Sequence, residues 1–169
     1  MSDWHCSKPY PFKILTAKYF VVVQHPLELA GLGESLAINA SRTLTSLGLG
    51  IRNIDDHDDP LCGFSRELGF IAGNNVLEEL RLDMWCYGAS LYPVSHDSDL
   101  CSAFDSMLTD SGAFPVLRRV SVKFGWFLKH WSENEKDAVF EGLKENNFPR
   151  LVESEAVEFN FSVLNIRHA

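Results

Sequence analysis

Asp55-Asp56-His57-Asp58-Asp59 gathers four carboxylates and an imidazole in five consecutive residues, the stretch best supplied with cation ligands. A calcium loop also needs a central glycine for its turn and a closing glutamate. Neither is present before Pro60, so a solvated acidic loop is expected. The histidines are His5, His25, His57, His96, His130 and His168. None has a second histidine four residues on, the spacing that puts two zinc ligands on one helix face. His96 and Asp97 are adjacent but have no nucleophile in register, so a surface loop is expected there. No G-x-S-x-G elbow surrounds Ser35, Ser46, Ser65 or Ser121. Gly31-x-Gly33 and Gly48-x-Gly50 lack the third glycine and the lysine of phosphate loops. Cys6, Cys62, Cys86 and Cys101 contain no C-x-x-C pair and are too sparse for a disulfide framework, which fits a reduced, intracellular protein. Cys62 and Cys101 fall in apolar helical patterns. No catalytic residue, metal site or cofactor is expected; an enzyme whose residues meet only in the fold is the alternative.

The aromatic and charged residues are better organised. Trp85 and Tyr87 follow one strand pattern, and Trp126, Phe127 and Trp131 follow another. Ligands of parallel sheets bind at the strands' carboxyl ends, and Trp and Tyr dominate interface hot spots. The competing reading is a hydrophobic plug over the strand ends. Between these aromatics and the strand starts lie alternating charges, Glu79, Arg81 and Asp83 on one strand and Arg119, Ser121 and Lys123 on the next. One open sheet face would carry them, with Gly48 and Gly50 to one side and Glu158 and Asn160 to the other. Asp83 opposite Lys123, and Arg81 near Glu158, would be compatible charges. The candidate binding residues are therefore Trp85, Tyr87, Trp126, Trp131, Arg81, Asp83, Arg119 and Lys123.

The strands that must position them share one figure. In Leu77-x-x-Leu80-x-Leu82-x-Met84, apolar residues alternate with polar ones, the period of a half-buried strand. It recurs as Leu44-x-x-Leu47-x-Leu49-x-Ile51 and as Leu117-x-x-Val120-x-Val122-x-Phe124. Leu44 to Leu77 is 33 residues, Leu77 to Leu117 is 40, and Leu117 to Leu151 is 34. Aligning Leu151 with Leu117 would turn Ser154 and Ala156 inward, yet Val157, Phe159 and Phe161 are the apolar set. A one-residue offset or bulge near Glu153–Glu155 would reconcile them.

Helices are expected between the strands. One opens at Pro26 and carries Leu27, Leu29, Leu32, Leu36 and Ile38, although Gly31 and Gly33 weaken it. A second opens at Pro60 with Leu61, Phe64, Leu68 and Ile71 on one face and stops at Gly73-Asn74. A third, capped by Asp97 or Ser98, carries Leu100, Phe104, Met107 and Leu108. A fourth starts with a capping box at Ser132 and Glu135 and carries Val139, Phe140 and Leu143. Strand–helix–strand units in series give parallel strands with right-handed crossovers. The expected fold is α/β, a short leucine-rich-repeat-like solenoid of four to five mostly parallel strands with helices on one face. Residues 1–11 read as an N-terminal tail, 12–165 as one repeat domain and 166–169 as a C-terminal tail. A flatter two-layer α/β domain is the alternative.

Composition sets outer limits. Net charge is −8, from 15 Lys+Arg against 23 Asp+Glu, which disfavours nucleic-acid binding. No apolar run approaches the roughly 18 residues that span a bilayer, and Met1–Cys6 shows no secretory start, so a cytoplasmic or nuclear protein is expected.

Four stretches carry a family likeness: Arg42-Thr43-Leu44-Thr45-Ser46-Leu47, Asn75-Val76-Leu77-Glu78-Glu79-Leu80, Gly112-Ala113-Phe114-Pro115-Val116-Leu117 with its following strand, and Phe148-Pro149-Arg150-Leu151-Val152-Glu153-Ser154. Over roughly residues 40–165 the chain resembles the F-box and leucine-rich-repeat-like proteins of mushroom-forming fungi. F-box proteins present substrates to ubiquitin ligases through repeat domains, so the resemblance implies a substrate-recognition type of protein binding. The chain departs from that plan: no Leu-Pro-rich three-helix F-box pattern precedes residue 40. The expectation is a protein–protein interaction module without enzyme activity; a shortened relative without independent function is a further alternative. Solenoid ends need polar caps, but residues 12–23 hold Phe12, Ile14, Tyr19, Phe20 and Val21–Val23. They are expected to form an extra edge strand or packed segment against 44–51, part of whose outer surface stays apolar and available for self-association or an upstream domain.

Overall fold

The computed structural model describes residues 17–23, 29–54, 61, 63–86, 98–126 and 142–165. Five strands make one sheet: β1 (Ala17–Val23), β2 (Leu44–Ile54), β3 (Glu79–Cys86), β4 (Arg119–Trp126) and β5 (Glu158–Asn165). Their order in space is their order in sequence, and all four neighbouring pairs are parallel. Parallel neighbours need crossovers, and helices supply them. These are α1 (Leu32–Asn39), α2 (Phe64–Gly69), α3 (Ser98–Thr109), α4 (142–147) and α5 (Pro149–Glu153).

The alternation read in the sequence becomes rows across the sheet. Leu47, Leu80, Val120 and Phe159 are in register, as are Leu49, Leu82, Val122 and Phe161, and Ile51, Met84, Phe124 and Val163. On β2, β3 and β4 every member of these rows is at most 1% exposed. Burying a side chain of this size contributes about 1.5–3 kcal/mol, so one-residue slippage of any central strand is strongly disfavoured. The helices cover this face with Leu36, Phe64, Leu68, Phe104, Leu108, Leu143 and Leu151. A chain of rings runs through the core, Phe64–Phe104 at 6.2 Å, Phe104–Phe148 at 6.4 Å and Phe148–Phe159 at 5.5 Å.

Residues 17–23, the described part of the expected edge segment 12–23, form β1, which pairs with β2 from Leu44 to Ile51. Other expectations are corrected. Helix α1 starts at Leu32 rather than Pro26, and Ile38 lies outside its apolar face at 75% exposure. Gly33 does not weaken α1; it permits it. A Cβ there would overlap the backbone carbonyl of Glu67, so only glycine lets α1 and α2 approach this closely.

The register break before β5 is larger than one residue. Phe114 to Val120 is a step of six residues, and Phe148 to Phe159 a step of eleven. The extra five are the helical turn α5, five residues long, which buries Leu151. Pro149 at its first turn suits it, because that position needs no donated N–H. Leu151 therefore belongs to a helix and is not the counterpart of Leu117. The Asp55–Asp59 loop, the His96-Asp97 pair, the Ser132–Glu135 capping box and both tails lie outside the described residues.

The turns that lead into the strands are tied to one another. Val76 N–H donates to Ser41 O, Gly73 N–H to Ala113 O and Glu158 N–H to Arg118 O. Buried Asn75 joins two turns: its Nδ2 donates to Ile71 O at 2.9 Å and Ala113 O at 2.8 Å, while its Oδ1 accepts from Leu77 N–H at 3.2 Å.

Candidate interaction face

On β2 to β5 the residues between the buried rows point away from the helices. On β3 they are Glu79, Arg81, Asp83 and Trp85, and in register on β4 are Arg119, Ser121, Lys123 and Gly125. Glu158, Asn160 and Ser162 continue the rows on β5.

Arg119 ties three strands. Its Nη1 donates to Glu79 Oε1 on β3 at 2.8 Å, and its Nε to Glu158 Oε2 on β5 at 3.2 Å. Asn160 Nδ2 donates to the other Glu158 oxygen at 3.0 Å. The Asn160 amide first, and then the Arg119 guanidinium, hold the Glu158 carboxyl below its ordinary pKa. Arg81 grips Asp83 on its own strand, Nε to Oδ1 at 3.0 Å and Nη2 to Oδ2 at 2.7 Å. This two-bond fork is the strong form of the pair, and it raises the Arg81 pKa. The Asp83 side chain is only 10% exposed, whereas Arg81 is 57% exposed.

The register thus places Asp83 opposite Lys123 as expected, but the expected pairs do not form. Asp83 is taken by Arg81 two residues away, and Glu158 by Arg119, which sits beside it while Arg81 is two strands off. Lys123 makes no ion pair among the described residues.

Trp85 is not in a loop beyond the strand; it lies within β3 on the open face, half-buried. Its ring rests on Gly125 of β4, where a Cβ would overlap ring carbons of the indole. A bare backbone gives the flat ring a seat, an arrangement that offsets the weakness of glycine in a strand. Trp126 closes β4, and its side chain lies outside the description, as do Tyr87 and Trp131 entirely. Of the eight expected residues the structure brings five onto one surface: Arg81, Asp83, Trp85, Arg119 and Lys123.

Two buried carboxylates were not singled out from the sequence. Glu67 of α2 accepts from Gly33 N–H in the first turn of α1 at 2.8 Å. Asp105 of α3, 1% exposed, accepts from both Arg150 N–H and Leu151 N–H of α5 at 2.8 Å each. Each supplies a cap that the helix's own flanking residue does not, since neither α1 nor α5 has a side-chain cap. Burial pushes the Asp105 pKa up, against the pull of the two N–H groups and of Arg150. A signal existed. Asp105 is four residues after Cys101 and Glu67 three after Phe64, so both acids sit inside apolar helical stripes.

The helix side carries a shallow hollow between α3 and α5, edged by Ser106, Thr109, Asp110 and Arg150. Among the described residues no group of His, Cys, Asp and Glu could hold a metal ion, and no helix is long and apolar enough to cross a membrane. No protein-family model, curated protein or solved structure matches the chain significantly.

Proposed function

We propose that this chain is a leucine-rich-repeat-like solenoid that binds a protein partner through its open sheet face, in the manner of a substrate-recognition repeat domain. The ordered open face carries this reading. Arg119, Glu79 and Glu158 form a charged bridge over three strands, and Trp85 covers Gly125 toward the other end of the same face. Preordered side chains lower the entropy lost on association. Trp85 and Arg81 supply the residue types that anchor interfaces, and Lys123, with no ion pair among the described residues, offers a cation to a carboxylate. Sequential parallel strands and bonded turns support the solenoid, because each unit then contacts mainly its neighbours. Asp105, whose pKa burial raises, is occupied in capping a helix, which favours a binder over an enzyme.

The test compares the immobilised chain with its Arg81→Ala/Trp85→Ala/Lys123→Ala variant in extract of a mushroom-forming fungus. A protein retained by the first and lost by the second is the expected result. Equal retention by both would remove the open face from the reading.

A further inference from the structure

We infer that β5 is a dimerisation edge, at which a second copy of this chain adds its own β5 antiparallel to form one continuous ten-stranded sheet. Among the described residues β5 has a neighbour only on its β4 side. Glu158 N–H points to β4, where it meets Arg118 O. Peptide groups alternate along a strand, so Phe159, Phe161 and Val163 direct their N–H and C=O groups outward. The same three side chains extend the buried rows, yet they are only partly buried, while their β2–β4 counterparts are at most 1% exposed. The core therefore stops one layer short at this edge.

Within its own residues β5 lacks three devices that guard edges. It pairs with β4 over eight residues without a register break, contains no proline, and has a single charged residue, Glu158. The other edge differs: the β1–β2 pairing shifts between Ala17 and Lys18.

The strand's own pattern selects a second copy as the occupant. Turned about Phe161, it places Phe161 opposite Phe161, Phe159 opposite Val163, and Asn160 opposite Ser162 of the partner. Apolar side chains then meet apolar ones and amides meet hydroxyls. Glu158 falls opposite Leu164, so no like charges face each other. The outward peptide groups of Phe159, Phe161 and Val163 form hydrogen-bonded pairs in this same register. A two-fold contact of this kind closes at the dimer, whereas β5 adding to another copy's β1 would grow without limit.

The experiment is sedimentation velocity on the full chain over a concentration series reaching micromolar. A dimer that stops at two is expected. Asn160 and Ser162 are exposed, so Asn160→Lys/Ser162→Lys leaves the monomer fold intact, as its unfolding midpoint should show. It sets lysines against lysines across the dimer seam and should weaken association by about tenfold or more. Because Ser162→Lys also faces Lys123 of the same chain, its unfolding midpoint is compared with that of Asn160→Glu/Ser162→Glu, whose carboxylate at 162 faces that lysine. Asn160→Glu/Ser162→Glu should do the same alone, and an equimolar mixture of the two variants should restore the dimer. A wild-type chain that stays monomeric, grows open-ended, or dimerises equally well with the lysine pair overturns the proposal. None of these outcomes depends on whether the open face binds a partner.

Discussion

Asp105 is a single side chain that completes a helix from outside it. Asp105→Ala would leave the part-buried N–H of Arg150 and the buried N–H of Leu151 without their acceptor. Stranding buried donors costs about 1–3 kcal/mol each, so denaturant unfolding should show a loss of roughly 2–4 kcal/mol. The charge has its own signature. Burial raises the folded-state pKa of Asp105 above its ordinary value, so folding favours the protonated carboxyl. Its contribution is greatest below the unfolded-state pKa and diminishes as pH rises through the window up to the raised folded value. Asp105→Asn carries no such titration. The stability difference between wild type and this variant, followed by denaturant titration from acid to neutral pH, should therefore shift against the wild type as pH rises. A difference that moves the other way would mean that the two N–H bonds outweigh burial.

At the scale of elements, legibility followed the kind of force involved. Strands β2, β3 and β4 were readable because apolar burial imposes a period of two, and their open-face charges could be placed by parity alone. Ion-pair partners could not be placed so. Arg81 has both Asp83 and Glu158 as plausible partners in sequence, and only side-chain reach decides for the adjacent Asp83. The turn α5 was invisible as a helix because five residues hold too little periodicity, and the register conflict at Ser154–Val157 was its only trace. Gly33 misled for a related reason: its propensity argues against a helix, while its use depends on Glu67, 34 residues away. Gly33→Ala tests this. On an isolated helix the change should stabilise by about 0.5–1 kcal/mol. Here the methyl meets rigid backbone, and thermal unfolding should instead report a loss of about 1–3 kcal/mol.

Taken with the helices between them, the described strands stand in one row, each paired with the next. Strand β1 is the first of the described layers and rests on β2 over Leu44–Ile51. Deleting residues 1–23 should lower the unfolding midpoint by roughly 5 °C or more, measured by circular dichroism; an unchanged midpoint would show that β1 adds nothing to the array. The two long-range caps give this row a further property. Glu67 reaches back to the helix before it, and Asp105 reaches forward to the unit after it. The amides of Gly33, Arg150 and Leu151 sit in helical first turns, where fraying would ordinarily let deuterium in within the fastest exchange times. Here each is closed by a carboxylate belonging to a neighbouring unit. Their deuterium uptake should be slow, and in Glu67→Gln or Asp105→Asn it should speed up selectively at these amides. These three protons would then serve as clocks for the joints, recording how often adjacent units part while each stays folded.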